Sequence, residues 1–438
     1  MKKHIVPSHL LKLFTLGLMG ASSYTWACGF QLWEQDGASV GNYHAGRAAE
    51  AADASINYYN PAGTVLIPNK QLVLGVDPVI THFKYDGTVQ VNTLGPFAFP
   101  VDGVQGGTFA MLPNAHFVVP LTQNLTFGVS LVSPFGLKTD YGHDTFLQYA
   151  GTLTSLKVAD LAPALAVAIN PALSFGAGLD IEYAKGEFDL TGVVLNPITN
   201  TSSKNIASDY AYGFHAGALY QWSPMTRVGL SYHSKVTHHL HGDSSFTGPL
   251  ANNFIGGTQK SDHFKAGIVL PATTTLSIFH KFNPKLDLMG TVIYTQWGTF
   301  NQVIFENVAG IQFLRSSNDI TVVIPEGYSN TWNYSIGGNY HFNRQWMLRL
   351  GVGYDQTPSN DHDRNIQLPD QSRYVGAIGG HFQATKRLGF DLGWSHYFIV
   401  AHADIHVSQP VGDQVTTTDG NSKDGADVFG LQVKWDIV

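Results

Sequence analysis

Four histidines in one short stretch are the side chains whose type and spacing come nearest to a metal site. They are His233, His238, His239 and His241, and closely spaced imidazoles can bind zinc. The stretch lies near a polar, loop-like segment, so the favoured interpretation is that these histidines are exposed in a loop. We therefore predict that the chain holds no metal.

Two acidic residues, Asp180 and Glu182, are spaced to share one face of a strand. Paired carboxylates can perform general acid–base chemistry, but we favour the simpler interpretation that they are charges on the polar face of that strand. Serine, histidine and acidic residues are plentiful, yet no nucleophile motif arranges them for catalysis. The sequence predicts a protein that is not an enzyme and that needs no cofactor.

The composition is unusual for a water-soluble protein. Charged residues make up 13% of the 438-residue chain, whereas about 25% is usual. Glycine is abundant at 46 residues and aromatic residues reach 12%. The net charge of −7, without a long basic run, argues against nucleic acid as a partner.

Residues 1–27 have the features of a secretory signal peptide. A basic start is followed by the largely apolar stretch Leu10–Met19, and Thr25 and Ala27 offer a small-residue cleavage site. The stretch is too short to span a membrane as a helix, and nothing after Met19 approaches about 18 consecutive apolar residues. We therefore expect export without a membrane-spanning helix.

Cleavage after Ala27 would leave Cys28, the single cysteine, as the first residue. Lipid attachment to Cys28 is one alternative, but Trp26 fits a lipidation site poorly, and a free N-terminal cysteine is favoured. A single cysteine also excludes an intrachain disulfide and a cysteine-rich metal site.

A recurring unit organises the rest of the chain: an alternating segment, a tight polar turn and another alternating segment. Proline and asparagine suit such turns because proline fixes φ and asparagine tolerates unusual backbone angles. The intervening stretches can hold two strands of about 10 residues and a long loop, and we assign the polar tracts 196–208 and 357–364 to such loops. The six turns centre on 122–124, 170–171, 223–224, 283–284, 343–344 and 385–386.

Alternation within the units has the period of a strand. In the segment 346–354 one face is apolar with aromatic residues at its ends, and the other carries Met347, Arg349, Gly351 and Gly353. An apolar face flanked by aromatics suits lipid and its interfaces, and the opposite face suits a polar lumen.

Six hairpins supply twelve strands, and segments near 71–84 and 427–437 add one at each end. The sequence thus predicts an all-β fold, a 14-stranded antiparallel transmembrane β-barrel over residues 70–438. A water-soluble all-β protein such as a propeller is the alternative, and the signal peptide, low charge and contrast between turns and loops disfavour it.

The segment before the barrel does not alternate. Gly37–Ala54 is rich in alanine and glycine and predicts short helices and turns. A barrel of fourteen strands is wide enough to need filling or to leave a pore. We therefore expect residues 28–69 to form an N-terminal plug, or hatch, inside the lumen.

Several segments, in order and spacing, resemble the FadL-type outer-membrane transporters of long-chain fatty acids and aromatic hydrocarbons. They are Gly29–Leu32, Asn60–Ala62, Pro113–Pro120, Tyr294–Trp297 and Leu368–Arg373. The similarity covers nearly all of the chain after the signal peptide. It implies a fourteen-stranded barrel with a hatch, in agreement with the strand count from the turns.

The resemblance also implies a route. A hydrophobic ligand is caught near the outer surface, moves to a pocket beside the start of the hatch, and leaves sideways through a gap made by an inward kink of the third strand. The kink would fall at Ser133, Pro134, Phe135 and Gly136. Because proline cannot donate to a strand ladder and glycine weakens a strand, these residues suit a gate. The alternative is that Pro134 merely ends a strand.

The segment Asn60, Pro61 and Ala62 is the candidate for supporting this kink from inside. At the start of the hatch, Phe30, Leu32 and Trp33 could line the ligand pocket or simply pack the plug.

The resemblance further implies basic pocket residues at two positions, which here are Leu190 and Ile324. Lys185 is the nearest substitute and a predicted ligand-binding residue. With both positions apolar, a neutral hydrophobic ligand becomes an alternative to a fatty acid.

We therefore predict an outer-membrane protein that transports long-chain fatty acids or other hydrophobic compounds passively, by lateral diffusion through the barrel wall. No nucleotide-binding loop is present to couple ATP. The expected partners are the hydrophobic ligands, outer-membrane lipid and lipopolysaccharide, and the expected state is a monomer. The alternatives are a channel for neutral aromatic hydrocarbons, an adhesin acting through its loops, and a membrane enzyme.

Overall fold

The computed structural model describes residues 29–437. The predicted signal peptide and Cys28 lie outside this range. Within it, no helix has both the length and the apolar character required to cross a membrane.

Short helices precede the first strand. They are α1 (Gly37–Val40), α2 (Arg47–Glu50), α3 (Ile56–Tyr59) and a 3-10 helix (Pro61–Leu66), and the one-turn α4 (Ala251–Phe254) lies in a later loop. Further 3-10 turns span Asn92–Leu94, Phe146–Tyr149 and Trp297–Thr299. The strands are β1 (Lys70–Val91), β2 (Ala98–Gln105), β3 (Phe109–Pro120), β4 (Leu125–Val132), β5 (Gly136–Asp140), β6 (Leu153–Asn170), β7 (Leu173–Val194), β8 (Asn196–Ser223), β9 (Thr226–His233), β10 (Val236–Thr247), β11 (Thr258–Leu270), β12 (Thr273–Asn283), β13 (Leu286–Thr295), β14 (Gln302–Gln312), β15 (Arg315–Pro325), β16 (Thr331–His341), β17 (Trp346–Asp355), β18 (Arg373–Gln383), β19 (Leu388–Ile399), β20 (Ala403–Val411) and β21 (Gln414–Ile437).

The strands close into one antiparallel barrel of fourteen, which confirms the predicted fold class. The order around the wall is β1, β3, β4, β6, β7, β8, β9, β12, β13, β16, β17, β18, β19, β21 and back to β1. The remaining strands, among them β10, β11, β14 and β15, extend the wall beyond the barrel on the side of the long loops. Closure removes the unpaired edges that lipid cannot satisfy.

All six predicted turns connect neighbouring barrel strands. The side chains that make them are local hydrogen-bond acceptors: the Asn170 Oδ1 atom accepts from the Ala172 and Leu173 amides at 2.9 and 3.0 Å, and Asn343 accepts in the same way from Trp346. Because such a side chain imitates a backbone turn, the tight turns were predictable residue by residue.

Two boundaries differ from the prediction. The tract 196–208 was expected to be a loop, but it belongs to β8, which pairs with β7 and β10 beyond the barrel. The last strand begins at Gln414, well before 427, because it pairs with β1 along nearly its whole length. Strands that continue into water need no apolar face, so polar composition there did not indicate a loop.

The hatch occupies the lumen. Helix α1 lies against β18, β19 and β21, α2 against β9 and β12, and the 3-10 helix against β6, β7 and β8. The wall approaches the hatch closely at glycines, which have no side chain. A Cβ added to Gly393 would lie 2.6 Å from the backbone nitrogen of Gly41, and one added to Gly351 would lie 2.2 Å from the backbone oxygen of Asn42. The inward-facing glycines of the wall therefore make room for hatch backbone.

Buried ions hold the hatch together. Arg47 is ion-paired with Asp36 and lies 3.5 Å from the Glu50 carboxylate. The Glu50 carboxylate also accepts from Asn339 of the wall at 2.8 Å, and Asp53 accepts from Gln432 at 3.1 Å. Since an unpaired buried charge is costly, these contacts favour one position of the hatch.

Candidate functional site

The third barrel strand is interrupted between β4 and β5, at Ser133, Pro134 and Phe135. Here its backbone pairs with the start of the hatch: the Leu32 amide donates to the Pro134 carbonyl, and the Gly136 amide donates to the Phe30 carbonyl, both at 2.9 Å. The Gln35 side-chain amide donates to the Ser133 carbonyl at 3.0 Å. Pro134 therefore does more than end a strand, because the segment around it turns its hydrogen bonds inward.

A gap in the wall ladder accompanies this inward turn. The ladder between β3 and β4 ends at the pair Ala115–Leu131. Farther along, the Asp140 amide at the end of β5 donates to the carbonyl of Gly106, in the segment that precedes β3, at 3.0 Å. Between these points the described wall has no ladder pairs joining the two strands, and we call this region the lateral window.

Aromatic rings fill the space behind the window. Phe30 is buried, with ring centroids 6.1 Å from Phe135, 4.8 Å from Trp297 and 5.1 Å from Phe300. Tyr328 closes the cluster, 5.0 Å from Phe300. Phe30 thus packs the plug against the kink, which is one of the two roles open to it from the sequence.

A cavity of about 480 Å³ lies beside the start of the hatch; we call it the hatch pocket. Leu32 and Trp33 line it, as the sequence allowed. The lining is mixed, with the apolar Ile293 beside polar and charged side chains, among them Gln31, Gln35, His44, Arg47, Tyr58, Tyr59 and His233.

A larger cavity of about 690 Å³ lies nearer the side of the long loops; we call it the outer cavity. Leu190 and Ile324, the positions where the resemblance implies basic residues, both line it. Its lining includes neither lysine nor arginine, and Asp189 is its one charged member. The remaining lining residues are Tyr149, Ala150, Thr154, Phe188, Ser203, Asn205, Phe305, Val308, Val322, Val323, Gln367, Gln409, Pro410, Val411 and Thr416.

A neighbouring cavity of about 450 Å³ shares Leu190, Ser203 and Val411 with the outer cavity. The two together form a largely apolar region on the side of the long loops. A hydrophobic molecule would be removed from water there before it reached the hatch.

An external loop beyond β15 buries an acid near this region. Burial raises the pKa of Glu326 to about 8, against the lowering effect of a hydrogen bond from Asn365, and nearby Asp363 raises it further. Glu326 is 3% exposed.

The predicted ligand-binding residue Lys185 lies on β7. Alternation along β7 turns the side chains of Phe188 and Leu190 into the outer cavity, so Lys185 points to the outer face of the wall, where it is paired in register with Lys157. Lys185 is therefore not among the residues that line the outer cavity, and its role in ligand binding stays a prediction.

The segment Asn60, Pro61 and Ala62, which we predict to support the kink, makes its contacts elsewhere on the wall. The Asn60 side chain donates to the Ala48 and Ala218 carbonyls at 2.8 and 3.0 Å. Pro61 and Ala62 lie against Gly176 of β7. These residues anchor the hatch to the wall at β7 and β8, and the direct hydrogen bonds to the kink come from Phe30, Leu32 and Gln35.

The four histidines do not form a loop cluster, because they belong to β9 and β10. His238 is buried between the carboxylates of Asp209 and Glu182, at 2.6 and 2.9 Å. His239 and His241 lie on the opposite, exposed face of β10. Asp180 and Glu182 face the lumen, as the favoured interpretation had it.

Asp180 contacts a histidine that no local pattern singled out. The His215 Nδ1 atom lies 2.6 Å from its carboxylate. Trp297, Phe300 and Tyr328 behind the window were missed in the same way, because each lies far along the chain from the hatch it contacts.

A closed antiparallel barrel of fourteen strands, with a plug in its lumen, defines a plugged transmembrane β-barrel of the bacterial outer membrane. The family model described as "Outer membrane protein transport protein (OMPP1/FadL/TodX)" matches residues 18–437. The chain belongs to this family and is an outer-membrane protein.

The chain is similar to known members over most of its length. It is 27% identical over 401 residues to the long-chain fatty acid transport protein of Salmonella typhi, covering 86% of this chain and 88% of that one. The solved structure of a Pseudomonas aeruginosa FadL homologue superposes with a TM-score of 0.80 at 25% identity, covering 93% and 99% of the two chains. The Pseudomonas putida toluene transporter TodX shares the fold, with a TM-score of 0.69 at 18% identity over 93% and 100% of the chains.

Proposed function

We propose that this protein carries hydrophobic compounds passively across the outer membrane, from the outer cavity to the hatch pocket and out through the lateral window. The observation that supports this most is the kink: Pro134 and Gly136 hydrogen-bond to the hatch where the wall ladder is interrupted. The relatives named as fatty acid and toluene transporters agree with a hydrophobic cargo.

The alternative axial route is chemically unsuited to such a cargo. Below the hatch, a cavity of about 950 Å³ opens among the tight turns. Its lining is strongly charged, and a hydrophobic molecule gains nothing by entering water there. The charged lining residues are Glu50, Asp53, Arg227, Lys281, Asp287, Arg344, Arg349, Asp391 and Lys434.

A lateral exit has its own cost, because backbone groups left unpaired in hydrocarbon are unfavourable. The hatch limits this cost by satisfying groups that the wall does not: Leu32 and Gln35 donate to carbonyls of the kink, and the Phe30 carbonyl accepts from the Gly136 amide. The window can therefore remain small and still stay open to lipid.

The outer cavity best fits a neutral ligand, or a charged ligand whose charge contributes little to binding. Leu190 and Ile324 are apolar, and the charged side chain in the lining is the acidic Asp189. Neutral aromatic hydrocarbons are therefore a second candidate beside long-chain fatty acids. No step of this transport requires catalysis.

We further propose that the barrel works as a monomer in contact with lipopolysaccharide. Lys138, Lys157 and Lys185 lie on adjacent strands at the outer face of the wall. Lysines there suit the phosphates of lipopolysaccharide. Native mass spectrometry of the detergent-extracted protein should show single chains retaining lipopolysaccharide, and Lys185→Ala should reduce the retained fraction.

Uptake by cells that lack other uptake channels for the cargo tests the function. Cells producing this protein should take up a labelled long-chain fatty acid and labelled toluene faster than cells with the empty vector. Uptake at the empty-vector rate for both compounds, with normal surface expression, would contradict the proposal.

A further inference from the structure

Three inward-facing side chains on adjacent strands converge beside the hatch. They are Asp180 of β7, His215 of β8 and His233 of β9. The Asp180 carboxylate lies 2.6 Å from the His215 Nδ1 atom and 3.7 Å from the His233 Nδ1 atom. The two imidazole rings stack with centroids 5.2 Å apart, so both rings present the same nitrogen to one carboxylate.

The hatch determines which nitrogen of His233 carries the proton. The His233 Nε2 atom lies 3.0 Å from the Tyr58 carbonyl oxygen, which can only accept, so Nε2 must donate. In the neutral ring the Nδ1 atom then carries a lone pair, and this lone pair faces the Asp180 carboxylate. Two acceptors directed at each other call for a cation between them, which is either a second proton on the His233 ring or a metal ion.

The surroundings are rich in buried carboxyl groups. Asp160 and Glu182 are cross-strand partners beside Asp180, and all three are buried. The Asp160 Oδ1 atom has no hydrogen-bond partner among the described residues. Glu182 shares His238 with Asp209. Because the field of buried carboxylates is weakly screened, this part of the lumen favours a cation.

We propose that Asp180, His215 and His233 bind one divalent transition-metal ion, with Zn²⁺ the best match. Two imidazole nitrogens and one carboxylate oxygen are a ligand set of three-residue zinc sites, which leave a fourth position open for water. In a tetrahedral zinc site, ligand atoms lie about 3.3 Å apart. The His215 Nδ1 atom lies 2.6 Å from Oδ1 of Asp180 and the His233 Nδ1 atom lies 3.7 Å from Oδ2. The three candidate ligand atoms all lie within 4.8 Å of one another, so side-chain rotations can bring them around one ion.

The contact from His233 to Tyr58 also has the form expected around zinc, where a ligating histidine donates its other N–H to a carbonyl that orients the ring. The ion would in this way connect the wall at β7–β9 to the hatch. Of the three candidate ligands, His233 also lines the hatch pocket, together with Tyr58.

Metal binding by the purified full-length protein tests the proposal. Chelator-stripped protein in detergent is titrated with Zn²⁺ by calorimetry and with Co²⁺ by visible absorption. We expect one equivalent of Zn²⁺ and the d–d bands of tetrahedral Co²⁺. His233→Gln and His215→Gln should each weaken Zn²⁺ affinity at least a hundredfold, whereas His239→Gln, on the exposed face of β10, should leave it unchanged.

Heat-modifiable mobility in gels verifies that each variant barrel is folded. A second measurement, thermal unfolding with and without Zn²⁺, should show stabilisation by the metal in the wild type and in His239→Gln only. Failure of the stripped wild type to bind Zn²⁺, or equal affinity in folded His233→Gln, would overturn the proposal. The Asp180–His215 contact would then be a hydrogen bond without a metal.

Discussion

A cation placed in the outer cavity should turn a ligand site that is indifferent to charge into one that prefers carboxylates. Ile324 lines this cavity together with Leu190, and the lining includes neither lysine nor arginine. The wild-type protein should therefore bind a long-chain fatty acid and its methyl ester within about tenfold of each other, since no charge-assisted hydrogen bond distinguishes them.

The variant Ile324→Arg supplies the missing donor. A hydrogen bond to a charged group contributes roughly 1.5–3 kcal/mol, which corresponds to about 10- to 150-fold in affinity. Asp189 lies in the same lining and would compete for the guanidinium, although Lys204 lies 3.8 Å from it. We therefore expect the preference for the acid to rise by about tenfold, the lower end of that range.

Competition against a fluorescent fatty acid, with purified protein in detergent, measures both ratios. The matched control is Thr321→Arg, on the exposed face of the same strand, which should leave the ratio at its wild-type value. A wild-type preference for the acid of about a hundredfold would mean that a cationic anchor exists elsewhere. An unchanged ratio in a folded Ile324→Arg protein would mean that the outer cavity does not bind the ligand.

Two further predictions concern the hatch and the external loop. Gly393→Val places a side chain where a Cβ would lie 2.6 Å from the hatch backbone. Overpacking there should lower the free energy of unfolding by about 1–3 kcal/mol, which lowers the thermal unfolding midpoint. The displaced hatch should also raise ion conductance in planar bilayers. Gly267→Val, where a Cβ would meet nothing within 4 Å, should do neither, and equal behaviour of the two would contradict close hatch packing. Glu326, whose pKa is raised from 4.5 to about 8, keeps its proton when folded but loses it when unfolded, so its contribution to stability should fall as pH rises from about 4.5 to 8, by at most roughly 4–5 kcal/mol. Glu326→Gln should remove that part of the pH dependence of unfolding, and an identical pH dependence in variant and wild type would refute the assignment.

The barrel was predictable because its determinants are local. Each tight turn is specified by a side chain such as Asn170 or Asn343 that bonds to its own neighbours, and each membrane-spanning strand alternates. The extensions beyond the membrane were not predictable by the same rule, because in water neither face of 196–208 has to be apolar, and their pairing with β10 lies far along the chain.

The strand face on which Lys185 lies could have been deduced from the sequence. Asp180 and Glu182 had already been placed on the polar face of their strand, and strict alternation puts an odd-numbered neighbour on the other face. Phe188 and Leu190, which are even-numbered, line the outer cavity, and so does Asp189 between them. Parity therefore indicates the face on which Lys185 lies, but it does not by itself delimit the pocket.

The contacts around the kink depended on the three-dimensional structure. Pro134 and Gly136 mark a weak point in a strand, but that Phe30 and Leu32 form the compensating hydrogen bonds follows only once the hatch is threaded through the lumen. Nothing local indicates that Trp297 packs on Phe30, or that His215 meets Asp180.

The lateral route is tested most directly by restoring a regular third strand. Combining Pro134→Val, Phe135→Thr and Gly136→Val returns an N–H to the ladder and an alternating pattern to the segment that now pairs with the hatch. The matched control is Pro163→Val, which replaces a proline in β6, where pairing is regular on the β4 side.

Uptake of a labelled long-chain fatty acid is compared at equal surface expression. We predict that the control transports normally and that the straightened variant falls to the rate of cells without the protein, while still binding ligand in the outer cavity. Normal uptake by the straightened variant would contradict the lateral route and indicate an axial path past a displaced hatch.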